Sequence, residues 1–128
     1  MNRLCLNSRD ELLIIDLDKI VCLQANGNYT NILYIDGLKT MISLGLSKME
    51  SLIKAAILVN TPSPFIRMGR SYIINQKYLS QINVLKQQLT LSDYGKHHYT
   101  ITIPKQLLKE YREIIRRKYQ NIQALNHE

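Results

Sequence analysis

The sequence is short of the residue types that mark specialised protein classes: two Cys, three Pro, five Gly, one Phe and no Trp in 128 residues. Two cysteines cannot staple a disulfide-rich fold. Few Gly and Pro beside 45% apolar residues exclude collagen-like, low-complexity and disordered chains. No uninterrupted apolar run reaches the roughly 18 residues of a membrane span, and Met1 to Asp10 lacks the apolar stretch of a signal peptide. A cytoplasmic protein with no membrane partner is expected. The length fits a single domain over residues 1–128. Cys5 and Cys22 lie among apolar residues in strand-like stretches and read as reduced core residues.

Catalytic signatures are missing too. There is no Gly-x-Ser-x-Gly elbow, and Ser71 after Gly69 and Arg70 does not make one. Neither a P-loop nor a dinucleotide-binding glycine loop occurs. Asp16 and Asp18 would share a strand face, but they flank an acidic turn and read as solubilising. No Cys-x-x-Cys or His-x-x-x-His spacing is present. His97 and His98 are adjacent, so on a strand they point to opposite faces and fit an exposed turn or strand edge. No enzymatic activity, metal or cofactor is expected.

Acidic residues are scarce where basic ones are dense. Residues 1–36 hold five acids and three bases, but residues 37–92 hold seven bases and the single acid Glu50, and residues 93–128 hold seven bases and four acids. The net charge is +7. A positive face built by the middle and end of the chain would attract polyanions, although like charge also serves solubility alone.

The pattern of elements is mostly β with two helices. Apolar runs at Leu12 to Leu17 and Ile20 to Gln24 have strand length, and Asn26-Gly27-Asn28 then signals a tight hairpin into Tyr29 to Asp36. Asp36-Gly37 turns the chain into Leu38 to Ser43. Leu46, Met49, Ile53, Ala56 and Ile57 form a helical stripe, with Ser47 and Glu50 at capping-box spacing. Asn60-Thr61-Pro62-Ser63-Pro64 ends that helix as a loop. Strand pieces follow at Phe65 to Met68 and Tyr72 to Ile74, then a hairpin of Tyr78 to Leu85 with Gln88 to Leu91, and an alternating strand at Tyr99 to Ile103. Pro104 opens a C-terminal helix whose buried stripe is Leu107, Leu108, Tyr111, Ile114 and Ile115, and residues 120–128, with His127, read as a frayed tail.

Three polar segments sit at turns or element ends: Asn26 to Thr30, Arg67 to Asn75, and Pro104 to Gln106. Asn and Gln pair with adenine edges, Arg and Lys with guanine edges or phosphates, and a Tyr hydroxyl reaches phosphate. By residue type alone the reading as ordinary turn residues is the favoured one. Eight Tyr also leave open a small β-barrel that stacks RNA or single-stranded DNA. A protein-interaction module is a further alternative.

Phe65-Ile66-Arg67-Met68-Gly69-Arg70-Ser71-Tyr72-Ile73-Ile74-Asn75 resembles the most recognisable stretch of LytTR domains, an aromatic, x, Arg, x, His, then Arg-Ser-Tyr-Ile-Val-Asn. Gln24-Ala25-Asn26-Gly27-Asn28-Tyr29-Thr30 resembles the family's earlier loop, and the resemblance runs from about Leu12 to Tyr119. It implies an elongated, mostly antiparallel β fold (α+β) with one helix in mid-chain and one at the C-terminus. It also implies a bacterial-type transcription regulator whose loops enter successive major grooves of double-stranded DNA at paired repeats, with a homodimer on DNA as one expectation. Carried over by position, the implied contacts are Asn28, Tyr29 and Thr30 in the first loop, Arg70 and Ser71 in the second, and Lys105 and Gln106 in the third, while Arg67 reads either as a phosphate clamp or as a surface strand residue. Gly69 stands where the family commonly has His. No receiver domain is read ahead of the module, which implies another signalling partner in its place. Tyr72, Ile73 and Ile74 are expected in the core, and Asn75 is expected to close a turn.

Overall fold

The structure, a computed structural model, describes residues 2–57, 61–119 and 122–125. Its strands are β1 (Arg3–Asn7), β2 (Leu12–Asp16), β3 (Ile20–Asn26), β4 (Tyr29–Tyr34), β5 (Lys39–Ile42), β6 (Phe65–Met68), β7 (Tyr72–Asn75), β8 (Leu79–Asn83), β9 (Gln88–Ser92) and β10 (His98–Thr102). The helices are α1 (Leu46–Ala56) and α2 (Lys105–Lys118). All the strand pairs are antiparallel, as expected from the short runs joined by tight turns. They form a pair β1-β2, a triplet β10-β9-β8 and a central five-stranded sheet ordered β5-β4-β3-β7-β6.

The central sheet is covered on both faces near β3, which is why Ile20-Val21-Cys22-Leu23 reads as an unbroken apolar run rather than an alternating one. Leu23, Ile32 and Ile73 enter a first core with Ile15 and Leu17 and with Met49 and Ile53 of α1. Cys22, Ile74 and Met68 enter a second core with Leu89, Leu91, Ile103 and the α2 residues Leu108 and Tyr111. A register shift between Ile20 and Cys22 lets neighbouring Val21 and Cys22 serve the same core.

Several local expectations are corrected. Ser47 and Glu50 do not form a capping box: α1 starts at buried Leu46 with Gly45 as its N-cap, and no side chain caps it. Glu50 turns instead to Arg67, a charged donor that makes a stronger partner than a backbone N–H. Cys5 is exposed, because the alternation of β1 gives the interior positions to Leu4 and Leu6. Ile114 is 48% exposed, since the stripe of α2 is completed by Leu107, Leu108, Tyr111 and Ile115. Asp16 and Asp18 are structural: Asp16 Oδ1 accepts the Asp18 N–H at 3.1 Å, and the Asp18 carbonyl accepts the Tyr78 hydroxyl at 2.6 Å. Of the expected tail, residues 122–125 are coil with Ile122 and Leu125 exposed; His127, like Asn60, lies outside the described residues.

Asn75 closes its turn and does more. Its side chain is buried, donates from Nδ2 to the Ile20 carbonyl at 2.8 Å and accepts the Lys77 N–H at 3.0 Å, joining β7 to the start of β3. Asn75→Ala would leave both backbone groups without that partner. A loss of about 1–3 kcal/mol is expected, read as a lower urea midpoint at unchanged slope; an unaltered midpoint would show that water replaces the side chain.

Candidate nucleic-acid interface

The turn Gly69-Arg70-Ser71 between β6 and β7 is held at both of its flanking carbonyls. Arg67 Nε donates to the Gly69 carbonyl at 2.7 Å, and the Ala25 N–H of β3 donates to the Ser71 carbonyl at 2.8 Å. The Arg67 guanidinium continues to Glu50 at 3.1 Å and Ser47 at 3.3 Å, so α1 braces the turn. Both partners of the Arg67–Glu50 pair are partly solvated, with side chains 26% and 28% exposed. Such a pair contributes about 0–1 kcal/mol to stability, so its main consequence is geometric. Arg70 stands exposed between the two held carbonyls, and among the described residues no ion pair engages it.

Gly69 has φ +65, and a Cβ placed there would lie 2.8 Å from Leu107 Cδ1 of α2. The residue that departs from the family pattern is therefore where the turn rests on the first turn of α2. This contact places Lys105 and Gln106, at the start of that helix, beside the Arg70 turn. Both side chains are exposed, and Gln106 Nε2 donates to Glu110 at 3.1 Å.

On the other side lies the β3-β4 hairpin. Asn26 pairs with Tyr29, leaving Gly27-Asn28 as the two-residue tip, and only Gly27 takes a positive φ, +61. Asn28 is exposed and Tyr29 is 47% exposed. Thr30 is not: it is fully buried, and its hydroxyl donates to the Leu44 carbonyl at 2.8 Å, which corrects its expected place on the contact surface. The Ala25–Ser71 bond joins this hairpin to the central turn. Hairpin tip, central turn and helix start thus form one row along an end of the molecule, with Arg70 in the middle.

Two polar residues next to this row escape a reading by residue type. Gln24 pairs across the sheet with Asn31, and Gln24 Nε2 donates to the Tyr72 hydroxyl at 3.2 Å. With Met41 and Ile101 they line an open recess of about 370 Å³. The available signal was positional, since both lie in strands within a few residues of the hairpin tip. Burial, and secondarily Cys22, raises the Tyr72 phenol above its ordinary range, so it stays protonated. Burial pushes the Cys22 thiol up to about 12, which makes it an inert core group.

Among the described residues no cluster of His, Cys, Asp or Glu could hold a metal ion, and no helix is long and apolar enough to cross a membrane. His97 Nδ1 lies 2.9 Å from Asp93 Oδ2 in the turn before β10, and His98 is exposed at the start of that strand.

No curated protein matches the chain. It is similar in fold to the solved structure of a LytTr DNA-binding domain from Bacillus cereus, at 19% identity and a TM-score of 0.59, covering 90% of this chain and 97% of that one. Residues 10–116 match the LytTr DNA-binding domain family, a span that takes in the braced turn, the hairpin tip and the start of α2, and the chain therefore belongs to that family.

Proposed function

We propose that the row of hairpin tip, central turn and helix start binds double-stranded DNA from the major-groove side, and that the protein regulates transcription by choosing its sites through this row. The observation that carries the reading is the braced turn: a flexible guanidinium side chain is offered to a partner by a backbone fixed at the carbonyl before it and the carbonyl after it. Fixing the backbone beforehand removes ordering costs that binding would otherwise meet. An Arg so placed suits bidentate pairing with guanine O6 and N7. Asn28 and Tyr29 at one end of the row, and Lys105 and Gln106 at the other, supply base-edge and phosphate partners, and Ser71 supplies a hydroxyl beside Arg70.

Arg67 takes a different part from Arg70. Its charge is already opposed by Glu50, so it sets the turn rather than clamping a phosphate. Thr30 likewise supports the hairpin from inside. Two copies on one duplex would read paired repeats.

Selection of bound duplexes from a random DNA pool tests the reading. Enrichment of a defined motif, in paired copies, is the expected result; a pool that stays random after repeated rounds would sink site choice by this row.

A further inference from the structure

The solvent-facing side of α2 is divided in a way that binding through its first turn alone does not require. At 100° per residue, Lys105, Lys109, Arg112 and Arg116 share one flank, whereas Gln106, Glu110, Glu113 and Arg117 share the other. The second flank satisfies itself: Gln106 bonds Glu110 at 3.1 Å, and Glu113 meets Arg117 at 3.6 Å. Glu113 also draws Arg116 to 3.6 Å. Among the described residues no ion pair engages Lys105, Lys109 or Arg112, all of them exposed. Scattered solubilising charge would place acids on both flanks.

The course of the helix gives the stripe a direction. Leu107 meets Gly69 at the row, Tyr111 donates to Gln76 at 2.8 Å beyond the far end of β7, and Ile115 and Lys118 line a recess with Pro62 and Pro64. The helix therefore climbs away from the row. Along its axis Lys109 lies about 6 Å above Lys105, Arg112 about 10 Å and Arg116 about 16 Å, at 1.5 Å per residue. The major groove is about 8.5 Å deep.

We infer that Lys109 and Arg112 form a phosphate-contacting rail, Lys109 at the wall and Arg112 at the rim of the groove that the row enters, while Arg116 stands above it. The rail rests on the proposed function, because it needs duplex DNA at the row. It adds affinity without sequence preference, since phosphates are the same at every step.

The test uses a labelled duplex pool of random sequence, on which base reading is averaged out, and follows affinity against salt for the full chain. Lys109→Gln and Arg112→Gln are each expected to lower the magnitude of the log–log salt slope by about 1, and the double variant by about 2. Arg117→Gln, which removes the same charge from the opposite flank, should leave the slope unchanged. Thermal melts by circular dichroism confirm that each variant keeps its helix. Unchanged slopes for Lys109→Gln and Arg112→Gln, or an equal drop for Arg117→Gln, would overturn the rail. Arg70→Ala separates the two readings: if it leaves binding to its selected site intact while the rail variants lose slope, the base-reading assignment fails and the rail stands. A wild-type protein that does not bind the duplex pool would overturn both.

Discussion

Arg70→Ala is expected to weaken binding to the selected duplex by about 1–3 kcal/mol, roughly 5- to 150-fold, and to relax the base choice at one position. The turn does not lose its shape in this variant, because the bonds that hold it are made by the Gly69 and Ser71 carbonyls and not by the Arg70 side chain. Stability should therefore stay within about 0.5 kcal/mol, as for other surface substitutions. Titration of the selected duplex and of a scrambled one, side by side, checks it. Equal affinity of wild type and variant for the selected site would mean that another residue reads it. Arg67→Ala is the informative companion. It should relax the same base choice by releasing the turn, yet leave the salt slope unchanged, because Glu50 already opposes its charge.

Gly69→Val is the second change with a large consequence. The φ of +65 is a conformation a β-branched residue avoids, and its Cβ would press on Leu107 Cδ1 from 2.8 Å. About 1–3 kcal/mol of stability should be lost from the backbone conformation alone. DNA binding should fall as well, since the same residue holds the turn against the start of α2, where Lys105 and Gln106 lie. The steric and the conformational parts can be separated by a double-mutant cycle of Gly69→Ala with Leu107→Ala. Leu107→Ala should relieve the contact and leave the φ cost in place, so the double variant remains less stable than Leu107→Ala. Urea unfolding measures both, and a Gly69→Val protein as stable as wild type would show that the turn rearranges freely.

The two helices and the antiparallel β plan were legible because they rest on local signals: strand-length apolar runs, Gly at the turns, a helical stripe in α1 and Pro104 ahead of α2. Asn75 was legible for the same reason, since Asn is a turn-closing type. What escaped depended on distant partners. Thr30 is a polar residue beside a hairpin tip, and only the Leu44 carbonyl, brought in by the chain after β5, explains its burial. Glu50 sits three residues after Ser47 and so imitates a capping box, but its partner Arg67 arrives from another strand. Gly69 stood out only as a departure from the family pattern, and its contact with Leu107, which comes from the far end of the chain, could not be read locally. Cys5 escaped for a local reason instead: it looked apolar by its neighbours, yet the period-two alternation of β1 turns it outward. The resemblance located the three segments, and the bonds at Ala25 and the contact at Leu107 show that they lie in one row.

Duplex binding itself is tested most directly by competition. A labelled duplex bearing the selected site is held by the protein and challenged with unlabelled duplex or with either of its single strands, at rising salt. Release by duplex but not by single strands, with affinity falling linearly on the log–log salt plot, is the expected result. Preferential release by single strands, or an affinity indifferent to salt, would contradict double-stranded DNA recognition by the row around Arg70.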